Sequence, residues 1–76
     1  MSVNQVFIAN VKRLCKVHGV TMKKLLENCG LNKGYVYDIE KRDISPSIET
    51  LYVIANYFGV STDSLLTERD QSKERR

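Results

Sequence analysis

Residues 21–41, TMKKLLENCGLNKGYVYDIEK, constrain the fold more than any other stretch of the chain. Apolar residues recur at helical spacing on both sides of Gly30. Leu25, Leu26 and Cys29 line one side of a first segment, and Val36 and Ile39 line one side of a second. About four residues connect them, from Cys29 to Lys33, with a glycine where a left-handed turn is wanted. Two short helices joined by a tight turn are therefore expected here, each with one side to bury.

The rest of the chain supplies the cover. Phe7, Val11, Leu14 and Val17 or His18 recur at helical spacing, so helix 1 is expected near Asn4 to Val17, with Gly19 just past its end. Thr21 is a good N-cap for helix 2, which should end at Gly30. Asn32 is the expected N-cap of helix 3, which should run to about Lys41 with Gly34 inside it. Ser45-Pro46 reads as N-cap and first residue of helix 4, with Ile48, Leu51, Ile54, Ala55 and Phe58 as its apolar stripe and Gly59 as its stop. Ser61 caps a short helix 5, with Asp63 in its first turn and Leu65 and Leu66 returning to the core. No alternating strand pattern or repeat appears. The expected fold is all-α: five short helices around one core over residues 1–66, then a polar, unpatterned tail over 67–76 that is expected to be disordered.

Composition excludes more than it assigns. Seventy-six residues make one domain with a modest core. No run of about 18 apolar residues could span a membrane, and the N-terminus lacks the order of a signal peptide, so the expected location is cytoplasmic. Cys15 and Cys29 are the only cysteines, no CxxC spacing exists and His18 stands alone. Free buried thiols are expected, with no metal and no cofactor. An enzyme is not expected: there is no serine–histidine–acid set, no carboxylate pair in an apolar frame and no phosphate-binding glycine loop. The net charge of +3 is mild, and Arg69, Lys73, Arg75 and Arg76 fall in the polar tail. The placement of charge must decide what the chain binds.

That placement points to duplex DNA. The paired helices have the spacing of a helix-turn-helix, whose second helix can enter a major groove N-terminal end first. At about 100° per residue, Val36, Ile39 and Glu40 define the inward side of helix 3. Gly34, Asp38 and Lys41 centre the opposite side, flanked by Tyr37 and Arg42, with Lys33 and Tyr35 at the leading end. Lys33 can donate to guanine, Asp38 can accept from cytosine N4, and Tyr35 and Tyr37 can pack on thymine methyls or donate to phosphate. Gly34 permits close backbone approach. Thr21, Met22, Lys23 and Lys24 open helix 2, Asn32 precedes helix 3, and Lys41 and Arg42 follow it; these are the phosphate candidates. Cations at a helix N-terminus are unfavourable by roughly 0.3–1 kcal/mol unless an anion sits there, so Lys23 and Lys24 suggest a ligand.

In this arrangement the chain resembles the helix-turn-helix family of phage repressors and Cro proteins, the lambda-repressor-like fold of many small bacterial regulators. The resemblance rests on Leu14, Gly19-Val20-Thr21, Leu25, Gly30, Val36-x-x-Ile39-Glu40, Pro46-Ser47-Ile48-Glu49-Thr50-Leu51, Ile54-Ala55, Gly59-Val60-Ser61 and Leu65-Leu66, in one register over residues 5 to 66. It implies a sequence-specific transcriptional regulator, expected to be a repressor, with base-reading positions at Lys33, Gly34 and Asp38. Four residues depart from the pattern. Met22 stands where many members carry glutamine, Leu26 where a small alanine lets helices 2 and 3 cross, Cys15 where an arginine pairs with Glu40, and Arg42 where a glycine follows helix 3. Glu40, inward beside helix 1, is thus expected either to tilt towards solvent or to take another cation, from Lys12, Arg13, Lys16 or Arg42.

The resemblance also implies a homodimer on a palindromic operator, with half-sites about one helical turn apart. A two-fold dimer needs a self-complementary patch. Tyr52, Val53, Asn56 and Tyr57 face outward or sideways on helix 4, and Val60 and Leu65 lie next to them, so these six are the dimer candidates. The competing reading is a protein-binding adaptor or antitoxin-like module that uses the same fold to hold a partner.

Overall fold

A computed structural model describes residues 2–68 of the chain. Five helices follow one another: α1 Val3–His18, α2 Met22–Asn28, α3 Tyr35–Arg42, α4 Ile48–Phe58 and α5 Thr62–Leu66, with no strand among the described residues. Residues 69–76 of the expected disordered tail lie outside the described part.

Most ends are set by local chemistry. Ser2 opens α1 with a capping box: its hydroxyl accepts from the Gln5 amide, and the Gln5 side chain accepts from the Ser2 amide. Thr21, Ser47 and Ser61 cap α2, α4 and α5, accepting from the amides of Lys24, Thr50 and Ser64. Gly19 and Gly59 end α1 and α4 with φ of 68° and 71°, where a side chain would be strained.

Beyond α2, which ends at Asn28 rather than Gly30, three starts and stops differ from the sequence expectation. The first is α4, which begins at Ile48 rather than Pro46 because Ser47, not Ser45, turns its oxygen onto the first free amides. The second is α3, which begins at Tyr35. Asn32 accepts from the Gly34 amide and Tyr35 N–H bonds back to the Asn32 carbonyl, so the chain makes a separate turn before the helix starts. Gly34 is consequently the N-cap rather than an interior residue. The third is the end of α3. Asp43, with φ 55°, is the left-handed residue, and Arg42 is still helical. Aspartate tolerates that conformation better than most side chains. Here its carboxylate also accepts from the Asn4 amide at 2.8 Å.

The core collects Phe7, Ile8, Val11, Leu14 and Cys15 from α1, Leu25 from α2, Ile39 from α3, Ile54, Ala55 and Phe58 from α4, and Leu65 from α5. Leu51 and Leu66 pack against it, partly buried. Two expected core residues are not there. Val17 is 70% exposed, and His18 instead lays its ring on Phe58 with centroids 5.0 Å apart. Ile48 is 85% exposed: at about 100° per residue it lies at the edge of the stripe centred on Leu51, Ile54, Ala55 and Phe58, and it opens the helix.

Both thiols are free. Burial raises the pKa of each, and for Cys15 the neighbouring Cys29 raises it further. Cys15 is part of the core, so the position carries an apolar contact rather than an ion pair. Glu40 tilts towards solvent and also takes one of the expected cations. It is exposed, and its carboxylate takes the Lys12 ammonium at 3.1 Å.

Candidate nucleic-acid interface

The surface in question is built by α2, the turn from Cys29 to Gly34, and α3. Gly30 takes φ 71° in that turn, and Leu31 N–H reaches back to the Leu26 carbonyl at 2.8 Å. Leu25 is fully buried and Leu26 nearly so; Leu31 and Val36 are half-buried. These four hold the two helices together and fix the direction of α3. Ile39 anchors α3 in the core.

What remains of α3 faces outward. Tyr37 is 60% exposed, and Lys41 and Arg42 are exposed beyond it. Lys33 and Gly34 are exposed on the turn that leads into α3. Asp38 is half-buried on the same face and meets Arg42 one turn later, Oδ1 to Nη1, at 3.6 Å. Lys23 and Lys24 are exposed at the start of α2. An open groove runs between the two helices, floored by Met22, Leu26, Leu31 and Val36 and rimmed by Lys23, Glu27 and Lys33. Lys23 and Lys33 on the groove's rim, with Lys41 and Arg42 farther along α3, make this surface mainly cationic, suited to a polyanion with a groove.

Several proposed contact residues are otherwise engaged. Tyr35, expected among the base readers, is half-buried against the core, with a hydroxyl sealed from water beside the Thr50 side chain. That burial pushes the phenol pKa up, and the nearby Thr50 side chain pulls the other way. In this position the hydroxyl does not reach a base. Met22 packs against the core and offers a ligand only its backbone amide. The Thr21 hydroxyl is committed to the Lys24 amide at 3.1 Å, and the Asn32 oxygen to the Gly34 amide at 2.9 Å, which leaves the Asn32 NH₂ as its donor.

The outward side of α4 carries Tyr52, 62% exposed, with Val53, Asn56 and Tyr57 also exposed. Tyr57 accepts from Asn28 at 3.0 Å, tying α4 to α2, and stacks edge-on against Phe58. Val60 is half-buried against the core. Leu65, expected at the dimer surface, is fully buried in its own core and cannot meet a partner. Ile48, which the sequence pattern placed in the core, is exposed at the start of α4, and Ile44 is exposed in the segment before it.

Two residues that position the site went unread in the sequence. Asn4 holds Asp43 at the end of α3, and Asn10, buried, donates to the carbonyls of Leu65 and Thr67 at 3.0 Å each. Their signal was present. Asn4 shares a face with Phe7, Ile8 and Val11, and an amide on an apolar stripe needs a partner. Among the described residues no group of His, Cys, Asp or Glu could hold a metal ion. No helix there is long and apolar enough to cross a membrane.

Comparison with known proteins agrees with this geometry. A helix-turn-helix family model matches residues 11–65. The chain is similar to the control protein C.SmaI of Serratia marcescens, with 23% identity over 74 residues, covering 97% of this chain and 88% of that protein. It is 30% identical to the immunity repressor protein of Bacillus phage phi105, over 84% of this chain and 44% of the repressor. It is 31% identical to the transcriptional regulator SinR of Bacillus licheniformis, over 83% of this chain and 58% of SinR. Among solved structures, a hypothetical transcription factor, NHTF, from Neisseria superposes with a TM-score of 0.81 at 20% identity, over 99% of this chain and 86% of that one, a likeness of fold.

Proposed function

This chain belongs to the helix-turn-helix family of DNA-binding transcriptional regulators, and we propose that it is a repressor that reads a palindromic operator as a homodimer in the cytoplasm. The observation that carries the reading is the two-sidedness of α3. Ile39 and Val36 hold one side to the core, while Lys33, Gly34, Tyr37, Asp38, Lys41 and Arg42 face away. In the major groove, Lys33 donates to guanine O6 or N7, and Asp38 accepts from a base amino group. Gly34 lets the backbone approach closely. Lys23, Lys24, Lys41 and the Asn32 amide group meet phosphates on either side. Phosphate contacts of this kind set register, and the α3 side chains set sequence.

The second copy docks on α4. Tyr52, Val53, Asn56 and Tyr57, with Val60 behind them and Ile48 beside them, make an apolar and aromatic surface on a small domain. Such composition suits the middle of an interface better than solvent. The relatives compared above are named as regulators, repressors and a control protein, which gives the adaptor reading no support.

Selection of bound duplexes from a random library tests the reading. It should return a two-fold symmetric site with half-sites about 34 Å apart. If each monomer neutralises about three to five phosphates, log K for the dimer should fall with log salt at a slope near −5 to −9. A slope near zero and no enriched sequence would sink the assignment. Sedimentation at high micromolar concentration, with Tyr57→Glu alongside, tests the dimer. A monomer both free and on DNA, unaltered by Tyr57→Glu, would rule out this surface.

A further inference from the structure

We infer that Asp38 and Arg42 form an exchangeable pair that suppresses binding to random DNA and is released only on the operator. The inference rests on the DNA-binding reading above.

Three observations lead to it. First, α3 runs through Arg42, the position where the resemblance places a glycine. The left-handed turn falls on Asp43, pinned by Asn4, so Arg42 stays helical and lies four residues after Asp38. That register brings the guanidinium over the carboxylate. Second, α3 carries two carboxylates besides its Asp43 cap. Glu40 is taken by Lys12 of α1, which leaves Asp38 as the acidic group on the outward face. Third, the Asp38–Arg42 separation of 3.6 Å is longer than a charge-assisted hydrogen bond, and the Arg42 side chain is largely exposed. Exposed pairs of this kind are weakly held and easily exchanged.

An ionised carboxylate only accepts hydrogen bonds. In a major groove its partner is the exocyclic amino group of cytosine or adenine. Where the sequence presents that amino group, Asp38 takes it and Arg42 is freed for a phosphate. Both charges are then satisfied. Where the sequence presents a carbonyl or methyl group, Asp38 has no partner except Arg42. The pair stays closed, and one cation per monomer is withheld from the DNA backbone. Specificity thereby gains twice from one carboxylate: a contact on the right site and a sequestered cation on the wrong one.

A double-mutant cycle on two DNAs tests this. Wild type, Asp38→Asn, Arg42→Ala and the double variant are titrated with a random-sequence duplex and with the selected operator, over a range of salt. Thermal melts confirm folding, and Asp38→Ala controls for new contacts made by asparagine. On random duplex, Asp38→Asn and Asp38→Ala should both bind more tightly, about tenfold in a dimer, with a salt slope steeper by about 0.9 per monomer from the freed cation. Arg42→Ala should weaken random binding about twofold or less in wild type, and about tenfold in the Asp38→Asn background. On the operator, either single substitution should weaken binding, and Asp38→Ala should lower preference at one base pair by about 5- to 150-fold. Equal effects of Arg42→Ala in both backgrounds, or an unchanged salt slope in Asp38→Asn, would overturn the inference while leaving DNA binding intact. Failure of wild type to bind any duplex would remove the DNA-binding reading itself, and this inference with it.

Discussion

Helices α1 and α3 are stabilised in opposite ways. α1 spans 16 residues, opens with a reciprocal capping box, ends on a left-handed glycine and buries eight of its residues. α3 spans eight residues, opens on Gly34 with no side-chain cap and buries only Ile39. Isolated helices of that length are marginal in water. α3 is held instead by α1, through Ile39 in the shared core, Lys12 on Glu40 and Asn4 on Asp43. The contrast shows a division of labour. The helix that carries the fold spends its surface on packing, and the helix proposed to meet DNA keeps its surface free because its neighbour supplies its restraint.

Substitutions can break that division at graded cost. Phe7→Ala, inside α1, should destabilise the whole domain by about 3–5 kcal/mol in denaturant titration. Ile39→Ala should cost about 2–5 kcal/mol, and the amides of α3 should lose their protection from hydrogen exchange before those of α1. Equal loss in both helices would show that α3 is not the more weakly held element. Lys33→Ala should leave melting unchanged and cost about 1–3 kcal/mol of discrimination at a single base pair.

Smaller effects sharpen the same contrast. Gly34 has ordinary backbone angles, and an added methyl would meet only the Asn32 oxygen at 3.4 Å. Gly34→Ala should therefore cost about 1 kcal/mol of stability or less, as an alanine N-cap does. A larger loss in operator affinity would show that DNA approaches the backbone there. Alkaline pH acts on the core side. Burial raises the folded pKa of Cys15 and Cys29 above the ordinary value of 9.0, so the folded state favours the neutral thiols. Their contribution is complete below pH 9 and is lost as pH rises through the folded values. Melting temperature should fall there, and less steeply in Cys29→Ala. The smallest effect belongs to Lys12–Glu40, an exposed pair whose double-mutant coupling should be about 0.2–1 kcal/mol.

The helices were legible because their signals are local. Gly19, Thr21, Gly59 and Ser61 act as their types imply, and the apolar spacing of Phe7, Val11 and Leu14 located α1. What failed depended on competition between neighbours. Ser45 and Ser47 both offer a cap, and only backbone geometry chooses Ser47. Asn32 looks like a helix cap, yet its oxygen closes a turn first. On the interface, residue type placed the cations correctly on the surface. It could not tell that Tyr35 turns inward while Tyr37 does not, or that Leu65 is sealed rather than shared, because both depend on contacts with distant segments. The partner of Glu40 was readable only as a set of four residues, since Lys12 is one turn from the position the resemblance suggested.

Asn10 carries a consequence for how the molecule opens. Its one side-chain amide holds the carbonyls of Leu65 and Thr67, 55 and 57 residues away in the chain. α5 has only five residues and cannot persist by itself. Helix α5 and the middle of α1 should therefore come apart as a single cooperative unit. A nascent chain emerging from the ribosome would then hold an incomplete core until residue 67 is free to reach Asn10. On this reading the segment from Leu65 to Thr67 is what closes onto α1 last.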